Sequence, residues 1–200
     1  MSISVAAPDR APIKLVQPKN GEPFALDGLE AKEGTLDTAK VNQMSGALNI
    51  LGFDDFADPT LSPKETGLAH PLVFEAQTRQ GRIYTLRIGN TLTNDTFDRY
   101  VQVAVAWQAP AEPRAQEKPD DERRTPRDAG QATDLSRAAR DDRPQEAENS
   151  AKANQQKADE TKALNDRLAN WTFILKSYRV EPFLIKRPLL QALSNQHERP

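Results

Sequence analysis

The chain contains no cysteine. That excludes disulfide frameworks and thiolate metal sites, and leaves the redox compartment open. Histidine occurs only at His70 and His197. A metal site would have to gather both with carboxylates from remote positions, so none is expected. No window approaches the ~20 apolar residues of a membrane-spanning helix. The opening MSISVAAPDRAP lacks the charged and apolar regions of a secretory leader. Charge of one sign is also missing: 27 basic residues face 29 acidic ones, a net −2. With no basic stripe interleaved with aromatics, a nucleic-acid partner is not expected.

What is present is unevenly distributed along the 200 residues. From Gln108 to Lys162 there is no aromatic residue, Leu135 is the one large aliphatic, and runs such as PAEPRAQEKPDDERRTPRDAG dominate. Such a stretch cannot bury enough apolar area to offset an ordering cost of roughly 1–2 kcal/mol per residue. Residues 108–162 are therefore expected to be a charged low-complexity insertion, disordered at first and partly helical from about 147, where Ala147 to Leu168 is rich in Ala, Lys, Glu and Gln. The remainder, 12–107 plus 163–194, is enough for a single domain core of about 130 residues.

Within that core, Ile13–Gln17 and Glu22–Leu26 flank Pro18-Lys19-Asn20-Gly21 and predict a hairpin over 13–26, with Ile13, Leu15, Phe24 and Leu26 on one face. Asp37 is placed to cap a helix over 38–51 whose Val41, Met44, Leu48 and Leu51 form one stripe, with Gly52 as its stop. Phe53–Ala57 has the pattern of a short strand. Ser62-Pro63-Lys64-Glu65 has capping-box spacing over a single turn halted by Gly67.

The stretch Thr66–Asn90 can be tested by register, since a one-residue slip exchanges the faces of a strand. A two-residue turn at Gln80-Gly81 would pair Phe74 with Arg87 and mix charge with apolar residues on both faces. A three-residue loop Arg79-Gln80-Gly81, with Gly81 left-handed in a bulge, pairs Ala76 with Tyr84, Phe74 with Leu86 and Leu72 with Ile88. One apolar face and one half-wet face result. Tyr100–Trp107 alternates Val101, Val103, Val105 and Trp107, which completes a meander over 72–107. A short strand at 172–175 and a helical segment at 178–193, broken or kinked at Pro188, close the chain. The expected fold class is α+β, a mostly antiparallel sheet packed by helices 38–51 and 178–193.

No stretch carries a catalytic signature. Asp54, Asp55 and Asp58 lack the glycine and terminal glutamate of a calcium hand and read as a solvated turn. Ser45 lies inside a helix without a nucleophile elbow. Gly89 in RIGNTLTND is a candidate opening of an anion-binding nest of backbone donors, but it has no phosphate-loop companions, and the favoured reading is a strand exit. Phe97 and Tyr178 mark either a partner surface or plugs beneath their loops, the second being favoured.

The order of these pieces resembles the family called domain of unknown function 4340. The residues that carry the resemblance are the Asp-capped helix LDTAKVNQMSGALNILGF, the corner Thr66-Gly67-Leu68-Ala69-His70-Pro71, the hairpin end Arg87-Ile88-Gly89, the strand Arg99-Tyr100-Val101-Gln102-Val103 and the ending NDRLANWTFILKSYRVEPFLIKRPLLQAL. The corner residue that is usually aromatic in the family is Thr66 here, which speaks against a functional role for it. The resemblance implies an auxiliary protein of gliding-motility-type ABC transport systems, on the periplasmic or extracytoplasmic face of the inner membrane. Members are often held by an N-terminal membrane helix that this sequence lacks, and the family has no established catalytic residues to carry over.

The expectation is thus a non-enzymatic accessory or interaction module of a membrane-associated assembly, with protein partners and without cofactor, metal or catalytic residues. The alternative is a peptide- or small-ligand-binding module, using a sheet edge or a cleft between the sheet and the C-terminal helices near Trp107, Trp171 and Tyr178.

Overall fold

The computed structural model describes residues 1–29, 35–92, 97–110 and 143–190. Most of the region read as an insertion, and the tail carrying His197, lie outside them. The fold is α+β: one antiparallel sheet of eight strands with short helices. In chain order the strands are β1 (Ser2–Ala7), β2 (Arg10–Val16), β3 (Ala25–Leu26), β4 (Asp55–Phe56), β5 (Leu72–Gln77), β6 (Arg82–Thr91), β7 (Arg99–Trp107) and β8 (Thr172–Leu175). Across the sheet they run β3-β2-β1-β5-β6-β7-β8-β4.

Strand β1 corrects the domain boundary drawn at residue 12. It lies between β2 and β5, pairing Ile3 with Leu15 and Ala76, and Val5 with Ile13 and Phe74. Ile3 and Val5 are buried while Ser4, on the other face, is half-exposed. SISVAA alternates with a period of two, but only two of its side chains are large, so its signal is weak.

The hairpin over 13–26 forms in reduced length. Leu15 pairs with Leu26 and Val16 with Ala25, the register of a two-residue Asn20-Gly21 turn. Pairing stops there because Pro18 and Pro23 have no N–H to donate. Instead Glu22 N–H reaches Lys19 O (3.3 Å), and Gln17 Nε2 donates to Glu22 O (2.7 Å).

The meander has the expected register throughout: Leu72 opposite Ile88, Phe74 opposite Leu86, Ala76 opposite Tyr84. Its loop closes with Thr78 N–H on Arg82 O (2.8 Å) and Gly81 N–H on Thr78 O (3.1 Å), and Gly81 sits at φ +88°. A side chain there would be strained and would also press on Gln108 O. Gly89 is not a strand exit. It lies within β6, beside a bulge, and the Thr66 carbonyl of the corner approaches so closely that a Cβ would collide with it. Asn90 N–H donates to that same carbonyl (2.8 Å), which pins the corner to the strand.

Helix α1 (Thr38–Gly46) is capped by Asp37, whose carboxylate accepts from Lys40 N–H at 3.2 Å. It is shorter than the 38–51 expected: from Ala47 to Ile50 the chain tightens into a 3₁₀ turn, and Gly52 is not the left-handed stop. The space beside Gly52 admits the Arg179 guanidinium instead. The 178–193 helix is also corrected. The chain makes α3 (Ser177–Val180), then 3₁₀ turns at Glu181–Leu184 and Arg187–Leu190. Pro182 and Pro188 each remove a helical donor and crowd the preceding turn. Residues 191–193 fall outside the described set.

One face of the sheet is dry. Ile3, Val5, Ile13, Leu15, Phe74, Leu86, Val101, Phe173 and Leu175 meet Val41 and Met44 of α1 and Val180, Phe183 and Leu190 of the C-terminal turns. Phe74 and Phe183 stack edge to face at 4.6 Å. The opposite face carries Lys14, Glu75, Arg87 and Ala104 into solvent. Helix α2 (Arg143–Leu168) starts earlier than about 147 and completes the sheet differently: β8 pairs β7 only as far as Gln102, and beyond it Asn165 Oδ1 accepts from Val105 N–H at 2.8 Å.

Candidate functional site

The residues weighed for chemistry disperse into local structural tasks. Asp54 accepts from Lys176 N–H (3.1 Å) and pairs with Arg179 (3.6 Å). Asp55 accepts from Phe56 N–H (2.8 Å), and Asp58 takes the Thr60 N–H (2.8 Å) and hydroxyl (2.6 Å). The two Thr60 bonds, led by the hydroxyl, hold the Asp58 carboxyl below its ordinary pKa. Ser45 donates its hydroxyl to Asn42 O at 3.1 Å. Trp107 Nε1 donates to Gln80 O at 3.0 Å, which places that ring over the hairpin turn.

The favoured reading of Phe97 and Tyr178 as plugs is wrong: they are 64% and 63% exposed. Loop position alone does not separate a plug from a surface ring, because the difference lies in whether the chain folds back over it. Tyr178 and Phe97 line a shallow hollow with Arg99, Glu181 and Leu184 that neither tryptophan reaches.

Two surfaces have the make-up of binding sites. The first is the edge formed by β4 and β8. Phe53 stacks on Phe173 at 3.9 Å, and Phe56 meets Trp171 at 5.0 Å and Phe173 at 5.5 Å. Phe173 is buried, whereas Phe56 and Trp171 are 55% and 51% exposed. The cluster forms because β4 is too short to cover its partner, and only alternate residues of WTFIL turn inward. The outward Phe56 N–H is already taken by Asp55, so side chains rather than free backbone donors are on offer at this edge.

The second is a cleft of about 410 Å³ at the opposite end of the meander from the Gly81 turn, between the strand ends and the C-terminal segment. Arg10 opens β2 after the Pro8-Asp9 turn, Arg99 opens β7, His70 comes from the corner, and Lys186 follows the first C-terminal 3₁₀ turn. Arg10 Nη1 donates to Leu184 O (3.1 Å) and its Nε to Asp9 Oδ1 (3.4 Å), so the first hairpin is tied to the last segment of the core. Arg99 Nη1 donates to Gly89 O (2.9 Å). Its other N–H groups have no partner among the described residues, and no carboxylate of that set lies within 4 Å. Burial first, and the nearby Arg10 guanidinium second, pull the Arg99 pKa below its ordinary value. Ile88 and Leu72 form an apolar floor.

Of the cleft residues, Gly67, His70 and Gly89 were singled out in the sequence, and neither the arginines nor the lysine was. Arg10 and Arg99 stand 89 positions apart, on strands separated by β1, β5 and β6, and each reads alone as an ordinary solvated strand end. Strand order brings them together, and no local pattern encodes it. A larger cavity of about 680 Å³, walled by Phe24, Leu26, Leu36 and Val41, opens between Leu29 and Thr35, which flank residues outside the described set.

No family model, curated protein or solved structure matches the chain.

Proposed function

We propose that this protein is a non-enzymatic accessory module of a membrane-associated, ABC-transport-type assembly on the extracytoplasmic face, and that it meets a protein partner through the aromatic edge of its sheet. The observation that carries this reading is the pair Phe56 and Trp171, each about half exposed, in contact, and seated on a buried ring. Rigid aromatic rings offer large contact area with few torsions to freeze, which is why such residues dominate interface energetics. A photo-crosslinker at Phe56, used in native membranes, should capture a transporter subunit, and Trp171→Ala should reduce the yield. Absence of any envelope protein among the crosslinked products would refute the reading.

A second reading is supported by the cleft: a module that holds a small ligand between the strand ends and the C-terminal segment. The partly buried Arg99, which among the described residues has donors left over and no carboxylate beside it, favours it.

A further inference from the structure

The cleft has an unbalanced charge. Among the described residues, Arg10, Arg99 and Lys186 face one carboxylate, that of Asp9, which is mostly solvent-exposed and already bonded to Arg10. Glu181 stands in the adjoining hollow on the far side of Arg99 and makes no ion pair with it. Two guanidinium groups held within reach of each other, one of them partly removed from water, repel each other and lose hydration. Proteins ordinarily offset such a pair with a buried carboxylate, and none is supplied here by the described residues. Position is fixed all the same: Arg99 is anchored on Gly89 O and Arg10 on Leu184 O, so both heads are oriented before anything binds. A guanidinium with one edge tied to a carbonyl still presents parallel N–H groups suited to two oxygens of one anion.

The volume sets the size of the occupant. At about 410 Å³ the cleft lies in the range of small-molecule sites and exceeds what a bare phosphate fills. Ile88, Leu72 and Leu184 give the remainder an apolar floor and wall.

We propose that this cleft binds a small organic oxyanion, a carboxylate or phosphate group on a compact body, gripped by Arg99 with Arg10 and supported from the rim by Lys186. The proposal rests on the second reading above, that the cleft is a ligand site, and adds the ligand's charge and class.

The test is a titration of the purified full chain, with methyl resonances of Ile88 and Leu184 followed by NMR, against succinate, inorganic phosphate and neutral succinamide. Saturable shifts at both residues with succinate or phosphate are expected, weakening as ionic strength rises. Whichever anion binds more tightly assigns the headgroup as carboxylate or phosphate. Arg99→Gln should weaken binding at least about tenfold, the loss expected for a charge-assisted hydrogen-bond donor. Lys186→Gln, at an exposed position outside the core, should weaken it several-fold with the fold intact. Succinamide binding as tightly as succinate, with no response to phosphate, would overturn the oxyanion assignment and leave the cleft reading standing. Silence with all three probes up to about 10 mM, beyond the weakest useful affinity, would overturn both. Affinity unchanged in both variants would also refute the proposed grip.

Discussion

Strand β1 divides the sheet, and its two faces give a quantitative test of the register. Ile3 is fully buried between Leu15 of β2 and Ala76 of β5, while Ser4 lies on the open face between Lys14 and Glu75. Ile3→Ala removes three carbons from the core. At about 0.8 kcal/mol per buried methylene the transfer loss is roughly 2.4 kcal/mol. The neighbours on both sides are backbone-paired strands that cannot close in, so a cavity contribution is added and about 3–4 kcal/mol is expected. Ser4→Ala changes a half-exposed position with no core contact and should stay within about 0.5 kcal/mol of wild type. Urea unfolding of the two variants reads the difference directly. With a slope of roughly 1–3 kcal/mol per molar, the Ile3 variant should lower the midpoint by more than about 1 M and leave the slope unchanged. If Ile3→Ala costs less than about 1 kcal/mol, or Ser4→Ala costs as much, β1 is not a central strand in this register.

Gly89→Ala should destabilise by about 1–3 kcal/mol in the same assay, because its Cβ meets a backbone carbonyl that is itself pinned by Asn90; a neutral result would mean that the corner is not packed on β6. Deleting residues 112–146 should leave cooperative unfolding close to wild type, since among the described side chains of α2 the first buried one is Thr161; loss of cooperativity would assign the removed segment a structural role. The Glu65 carboxyl should titrate below its ordinary value of about 4.3, held down first by the Ser62 hydroxyl and then by the Ser62 N–H. Because the folded pKa is the lower one, this contribution is present above the ordinary value and is lost as pH falls through the folded value. A carboxyl NMR titration with a midpoint at or above about 4.3 would contradict the capping box.

Local rules carried most of the fold. The meander register followed from refusing to mix Arg87 with Phe74, and the capping box at Ser62–Glu65 forms reciprocally, with Ser62 N–H on Glu65 Oε2 at 2.8 Å and Glu65 N–H on Ser62 Oγ at 3.3 Å. What escaped depends on chain-distant partners. SISVAA earns its place only because β2 and β5 present Ile13, Leu15 and Phe74 on either side of it, and a pattern of two large residues cannot announce that. Gly52 fits the rule for a helix stop, yet the geometry uses it to admit Arg179, a residue 127 positions later. Neither candidate surface was legible as a unit. The aromatic edge joins residues 53–56 to 171–173, and the cleft joins residue 10 to residues 99 and 186.

The placement of α2 changes what the low-complexity composition means. Its last turns are structural: Thr161 is buried, Leu164 and Leu168 pack on the core, and Asn165 takes the β7 N–H left over where β8 stops. Upstream, from 149 to 160, the helix is exposed apart from half-buried Asn154 and Ala158, so tertiary packing supplies little of its stability. Its side chains supply the substitute. Gln155 donates to Asp159 (2.9 Å), Gln156 to Glu160 (3.1 Å) and Lys162 to Asp166 (2.8 Å), each at i,i+4, and Arg82 of the hairpin pairs with Glu160 where the helix reaches the sheet. Such i,i+4 pairs bias an Ala-, Lys- and Gln-rich segment toward helix. The composition that cannot build a core is thus the one that lets a helix extend from a core it barely touches. That arm leaves the sheet at the hairpin end of β7, where Glu160 meets Arg82, whereas Arg99 and the cleft lie at the other end of the same nine-residue strand. At about 3.4 Å per residue the two ends are roughly 27 Å apart, well beyond a Debye length of about 8–10 Å. The charges on the described part of the arm therefore cannot supply a counterion to Arg99, and among the described residues the electrostatics of the cleft are set by the strand ends and the C-terminal segment.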